Sequence, residues 1–232
     1  MSPLSDSLEP VAGLQAPAAE EAALARARDA MVASQIVARG ISDPKTLAAM
    51  RQVPRHLFVP PGRLKEAYAD HPLPIGHGQT ISQPYIVAFM TEALGLKGGE
   101  TVLEVGSGSG YQAAVLARIA GRVFGIEIVE PLAREAKERL AKLGCDNVEI
   151  RAGDGYAGWP EHAPFDAIMV TAAAPRVPEP LKQQLRDGGR LILPVGDYAQ
   201  ELRIVTRRGS TFEERSVLAV QFVPMTGEIR KN

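Results

Sequence analysis

Residues 101–111 read TVLEVGSGSGY, and this stretch decides the fold. Thr101, Val102, Leu103 and Val105 suit a buried strand, where β-branched and apolar side chains fill a pleated surface. Gly106, Gly108 and Gly110 follow at alternate positions, and residues 112–120 form an apolar run of helical length. A strand, a glycine turn and a helix make the opening of a nucleotide-binding α/β unit. Glycine suits the turn because the backbone must take φ > 0 and pass close to a ligand, where a Cβ would intrude. The spacing G-x-G-x-G differs from the G-x-G-x-x-G of dinucleotide enzymes, and Glu104 stands two residues before the first glycine. A carboxylate there opposes an anionic pyrophosphate and suits a cationic ligand such as a sulfonium or an ammonium.

Toward the C-terminus strands and helices go on alternating. Residues 122–128 (RVFGIEI) read as a second strand ending near Glu127, which lies 21 positions (127 − 106) past the first glycine. An acidic residue about 20 positions beyond the glycines typically holds the two ribose hydroxyls. A charged helix over 131–143, a strand over 148–151, the turn Gly153-Asp154-Gly155 and a strand over 165–171 follow. A helix over 180–185 and a strand over 191–195 come next, and 201–207 with 215–222 read as a hairpin about the turn at 208–210. The alternation predicts an α/β fold: a Rossmann-like, doubly wound, mostly parallel sheet with helices on both faces and an antiparallel edge hairpin.

Toward the N-terminus the chain changes character. Residues 1–20 are expected to form a disordered extension, since the first 17 hold three prolines and few large apolar groups. Residues 21–95 read as a helical cap with a substrate loop, and 96–232 as the core with its C-terminal hairpin. Helices are expected over 18–39, 45–52 and 85–94, with a proline-punctuated, mostly irregular stretch from 53 to 83. Ser82 stands where an N-cap for the last of these helices would stand.

Composition bounds the function. A length of 232 residues, 45% hydrophobic and 23% charged, fits a globular enzyme, and a formal net charge of -1 argues against a general nucleic-acid binder. The single cysteine, Cys145, allows no intrachain disulfide. The N-terminus lacks a secretory pattern and no apolar run reaches membrane-spanning length. A cytoplasmic protein with no membrane partner is expected, and a monomer, because no heptad or spare apolar helix is left over. His56, His71, His77 and His162 lack metal-ligand spacing, so no metal site is expected.

The run E-x-G-x-G-x-G resembles the first motif of class I S-adenosylmethionine-dependent methyltransferases. Further segments together are similar to one family among them, the protein-L-isoaspartate O-methyltransferases: GQTISQP at 78–84, VLEVGSGSGY at 102–111, GIEI at 125–128, GDGY at 153–156, FDAIMVTAAAP at 165–175, LRDGGRLILPVG at 185–196 and FVPMTG at 222–227. The resemblance spans about residues 28 to 230, and its first and last segments are the specific ones. It implies transfer of a methyl group from S-adenosyl-L-methionine, leaving S-adenosyl-L-homocysteine, to the free α-carboxylate of L-isoaspartyl residues in damaged polypeptides. The ester then closes spontaneously to a succinimide, which hydrolyses partly to aspartate.

The resemblance also implies residue roles. Ser82 is the active-site serine, orienting the carboxylate by hydrogen bonding. Gln79, Thr80, Ile81 and Gln83 line the substrate side with Val223 and Pro224, whose segment would pair with the substrate backbone. Gly106, Ser107, Gly108 and Gly110 carry the methionine part of the cofactor, with Glu104 near its ammonium. Glu127 and Ile128 sit at the ribose, Asp154 and Gly155 at the adenine, and Thr171 and Thr226 complete the cofactor side. The chemistry needs no strong base, because the nucleophile has a pKa of about 3.5 to 4 and is ionised at neutral pH. Three other readings compete. A methyltransferase acting on a small molecule or nucleic acid lacks support, because 171–175 reads TAAAP rather than the Asp/Asn-Pro-Pro-aromatic tetrad of DNA amino-methyltransferases. The glycine spacing and Glu104 oppose a nicotinamide oxidoreductase, and the intact 80–84 stretch opposes a binding protein that has lost catalysis.

Overall fold

The computed structural model describes residues 18–231. The first part of the expected extension, 1–17, lies outside the described residues, but 18–20 do not belong to it: α1 (Ala18–Met31) already begins there. The helix expected to reach 39 changes its winding instead, through a π turn at Val32–Ile36 and a 3₁₀ turn at Val37–Arg39, and stops at Gly40 with φ 93°. Helix α2 (Pro44–Gln52) starts on Asp43, whose side chain accepts the Thr46 N–H, as an N-cap does.

The stretch expected to be irregular holds a small hairpin. Strands β1 (Leu73–Gly76) and β2 (Gln79–Ile81) pair antiparallel, Leu73 opposite Ile81 and Pro74 opposite Thr80. Its tip, Gly76-His77-Gly78, takes positive φ throughout. Helix α3 (Pro84–Leu94) follows, and Gln83 rather than Ser82 occupies its N-cap, with no side-chain cap bond. The Ser82 hydroxyl is therefore not used as a cap.

The core is a seven-stranded sheet: β3 (Thr101–Val105), β4 (Arg122–Glu127), β5 (Val148–Ala152), β6 (Phe165–Val170), β7 (Leu185–Val195), β8 (Gln200–Arg208) and β9 (Thr211–Val220). They lie in the order β5-β4-β3-β6-β7-β8-β9. The first five in that order run parallel, and β8 and β9 antiparallel. Helices α4 (Tyr111–Ala117), α5 (Glu130–Lys142) and α6 (Glu179–Gln183) connect the strands. Strand β7 starts six residues before the expected strand. Residues 186–189 bulge out of register between the pairs Phe165–Leu185 and Ala167–Arg190, so the Asp-Gly-Gly run is an excursion within a strand, not a turn before one.

Alternation along each strand feeds two cores, as a period of two dictates. Val102, Val123, Ala167, Met169 and Ile192 pack with α2, α3 and α4 on one face. Leu103, Phe124, Ile168 and Leu191 pack with Trp159 and Leu181 of α6 on the other. The N-terminal helices thus share a core with the sheet, which holds the β1–β2 hairpin against the carboxyl ends of the parallel strands.

Candidate active site

The glycine turn joins β3 to α4, with φ 94° at Gly106, 52° at Gly108 and 87° at Gly110. Gly106 and Ser107 donate their N–H groups to the Ile126 carbonyl at 2.7 and 3.3 Å, which fastens the turn to β4. From the other side Thr171, just past β6, donates its hydroxyl to the Gly106 carbonyl, with the Val105 carbonyl 3.2 Å away. A Cβ on Gly106 would lie 2.6 Å from that hydroxyl. The close approach, as well as the positive φ, requires glycine there.

A cleft runs over this turn along the carboxyl ends of the strands. The hairpin supplies Gln79, Thr80, Ile81 and Ser82 to one wall. Gly106, Ser107 and Gly108 form the floor, with Glu127, Ile128 and Gly155 beyond them, and Thr171, Val223, Pro224 and Thr226 close the remaining side. Fourteen of the expected site residues therefore meet in one place. Among the described residues lining the cleft there is no lysine and no arginine. A pyrophosphate would find no cation there, whereas a cationic ligand meets the Glu127 carboxylate.

Four expected residues are missing from that lining, and one of them, Gln83, lines the adjoining cavity instead. The Asp154 carboxylate accepts the Tyr156 N–H at 2.9 Å and the Glu228 N–H at 2.7 Å, so it caps a short 3₁₀ turn and clamps the C-terminal segment. It does not line the cleft, although Gly155 beside it does. Gln83 turns its amide to Asp70, at 2.8 Å from Oδ1 and 3.0 Å from the carbonyl oxygen. Gly110 packs on α5, where a Cβ would meet Ala136 at 3.2 Å. Glu104 lies beneath the turn, fully buried, with no hydrogen-bond partner for either carboxylate oxygen. Burial pushes its pKa up to about 7; the Glu127 charge adds to that, and the Ser107 hydroxyl opposes both.

One edge of the Val223 segment is paired within the chain. Ala173 donates to the Val223 carbonyl and accepts from the Met225 N–H, both at 2.8 Å. Arg230 then holds the Met225 carbonyl at 2.8 Å and pairs with Asp197. This segment is a fixed wall of the cleft.

Glu127 carries two duties. One oxygen accepts the Gly108 N–H at 2.8 Å and the other the Val129 N–H at 2.9 Å. An ionised carboxylate has about four acceptor positions, so two remain for a diol. Tyr111, Gln112 and Ile126 also line the cleft and went unmarked in the sequence. They sit at apolar-periodic positions that read as core. Burial pushes the Tyr111 phenol up to about 12, so it stays protonated.

The sequence profile described as protein-L-isoaspartate(D-aspartate) O-methyltransferase matches residues 26–230. The chain belongs to this family. A Shewanella sediminis relative named protein-L-isoaspartate O-methyltransferase 2 is 56% identical over 209 residues, 89% of this chain and 86% of its own. A solved protein-L-isoaspartate O-methyltransferase superposes with a TM-score of 0.81 at 31% identity, covering 87% of this chain and 67% of its own. A Plasmodium falciparum member, described as a β-aspartate methyltransferase and solved with S-adenosyl-L-homocysteine, superposes with a TM-score of 0.75 at 30% identity over 86% of this chain and 98% of its own. The doubly wound sheet is thus the Rossmann-like methyltransferase fold. No helix among the described residues is long and apolar enough to cross a membrane.

Proposed function

We propose that the cleft binds S-adenosyl-L-methionine and that the Ser82 loop presents to it the free α-carboxylate of an L-isoaspartyl residue in a damaged polypeptide. The observation that carries this reading is the cleft itself: a floor over a glycine turn that holds the Glu127 carboxylate and, among the described residues, no lysine or arginine, with Ser82 on the hairpin wall. Glu104 supports it at one remove: its carboxyl is buried beneath the turn, outside the cleft lining, where a cation bound above would favour the ionised form. When bound, the cofactor supplies a methyl group on a positively charged sulfur and leaves as S-adenosyl-L-homocysteine.

The chain's own residues bind, orient and exclude water. Glu127 accepts from the ribose hydroxyls, Ile128 covers the nucleoside and Gly155 lets it approach. Asp154 acts at one remove, by holding Glu228 and with it the C-terminal wall. Ser82 donates to the substrate carboxylate and fixes its approach, while Thr80 and Ile81 keep the hairpin wall over the reacting atoms. None of them needs to remove a proton, because the nucleophile is already ionised. Alignment in a water-poor cleft supplies the rate, and proximity of this kind is worth roughly 7 to 11 kcal/mol.

We take the enzyme to act as a cytoplasmic monomer on polypeptides rather than nucleic acid; the near-zero net charge and the single, buried thiol of Cys145 support this. With methyl-labelled donor, an isoaspartyl peptide is expected to gain base-labile label and its aspartyl twin none; equal labelling of the two, or none, refutes the assignment. Ser82→Ala is expected to lower kcat about tenfold, the worth of one hydrogen bond, with unchanged affinity for S-adenosyl-L-homocysteine. Full activity in that variant would remove Ser82 from the reaction.

A further inference from the structure

The cleft opens into a second cavity of about 830 Å³. Thr80, Ser82, Thr171 and Val223 line both, so the two spaces adjoin at Ser82. Its outer wall is formed by Tyr85, Ile86 and the chain leaving β9. Among the described residues lining it, Arg39 alone carries a formal charge.

The guanidinium of Arg39 is held in place. Its Cζ lies 3.6 Å from the centre of the Tyr85 ring, and Nη1 lies 3.2 Å from Asp70 Oδ2. Asp70 also accepts from Gln83, the neighbour of Ser82, so the cation is tied to the loop that presents the substrate. Asp70 uses one of five N–H donors, and the side chain is 42% exposed, which leaves donors free for a ligand. Arg39 lines the outer cavity and not the cleft over the glycine turn. It therefore stands beside the space open to the polypeptide that flanks the reacting residue.

We propose that Arg39 is a specificity-determining residue whose guanidinium receives an acidic side chain flanking the isoaspartyl residue of the substrate. The inference rests on the function assigned above. A cation fixed against an aromatic face loses little freedom on pairing, and a basic flank gains nothing from it, although the Asp70 carboxylate offsets part of the charge. Because the pair stays open to water the preference is modest, about fivefold between acidic and basic flanks.

The test is a set of isoaspartyl peptides with Glu, Gln or Lys on either side of the isoaspartyl residue, assayed with the wild type, Arg39→Gln and Arg39→Glu. In the wild type, kcat/KM is expected to favour Glu over Lys on at least one side, through KM, and added salt should weaken the preference. Arg39→Gln should flatten it and Arg39→Glu invert it; if the second fails to fold, the first still measures the ratio. Loss of the Tyr85 and Asp70 contacts alone would slow every peptide alike. A Glu-to-Lys ratio unchanged by substitution, or absent from the wild type, overturns the proposal. Failure of the wild type to methylate any of the peptides would instead overturn the functional reading and the proposal with it.

Discussion

Glu127→Ala is expected to weaken binding of S-adenosyl-L-homocysteine about a hundredfold and to lower thermal stability as well. The carboxylate is 4% exposed and holds the Gly108 and Val129 N–H groups, one with each oxygen. Both bonds involve a charged acceptor, and such bonds contribute roughly 1.5 to 3 kcal/mol each. Alanine would leave both donors without a partner and would let the floor of the cleft relax where the ribose is to sit. The binding loss contains the direct contacts and the cost of reordering Gly108, together about 3 kcal/mol. Glu127→Gln separates the two contributions. Its amide oxygen can accept one N–H, but its NH₂ group faces the other donor, so it should keep more stability than alanine while still binding the nucleoside weakly. Calorimetric titration of the three proteins, with thermal melts beside it, decides the matter. An unchanged Kd in Glu127→Ala would take this carboxylate out of the cofactor site and leave it a structural tie between β4 and the glycine turn.

The place of Glu127 in the cleft lining was legible because it stands a fixed distance past the glycines at a strand end, and both features are local. The alternation of strands and helices was legible for the same reason: each strand must feed two cores, and the period shows in sequence. Asp154 was not. A Gly-Asp-Gly turn reads alike whether its carboxylate faces a ligand or caps its own backbone, and its second partner, the Glu228 N–H, is 74 positions away. The β1–β2 hairpin was hidden by Pro72 and Pro74, since proline removes the ladder donor by which a strand is recognised. Tyr111, Gln112 and Ile126 were hidden by their own packing, because a residue that fills a core and edges a cleft keeps the core's periodicity. Arg39 gave no signal at all: its meaning comes from Tyr85 and Asp70, which chain folding alone brings to it.

Glu104→Gln is expected to gain stability relative to the wild type as pH rises from about 5 to about 8, and to weaken the hold on the cofactor. The wild-type carboxyl titrates near 4.5 in the unfolded chain and at about 7 in the folded one, chiefly because it is fully buried. Below about pH 4.5 both states hold the proton, and the group leaves stability unchanged. Between 4.5 and 7 the folded protein keeps a proton that the unfolded chain has released, so stability falls as pH rises; above 7 the penalty is complete, at roughly 3 kcal/mol. Glutamine cannot ionise and removes that slope. Whatever a buried amide costs is the same at every pH, so the telling quantity is the change in the difference between variant and wild type. Denaturant unfolding at about pH 5 and about pH 8 should show the variant gaining on the wild type by up to that amount. A ligand ammonium beside the carboxylate would draw its pKa back down, so binding near neutral pH should release a proton from the wild type and none from Glu104→Gln. Calorimetry in buffers of different ionisation enthalpy counts that proton. A stability difference that stays constant with pH would mean the carboxylate is solvated or paired after all, and binding without proton release in either protein would place the ammonium away from Glu104.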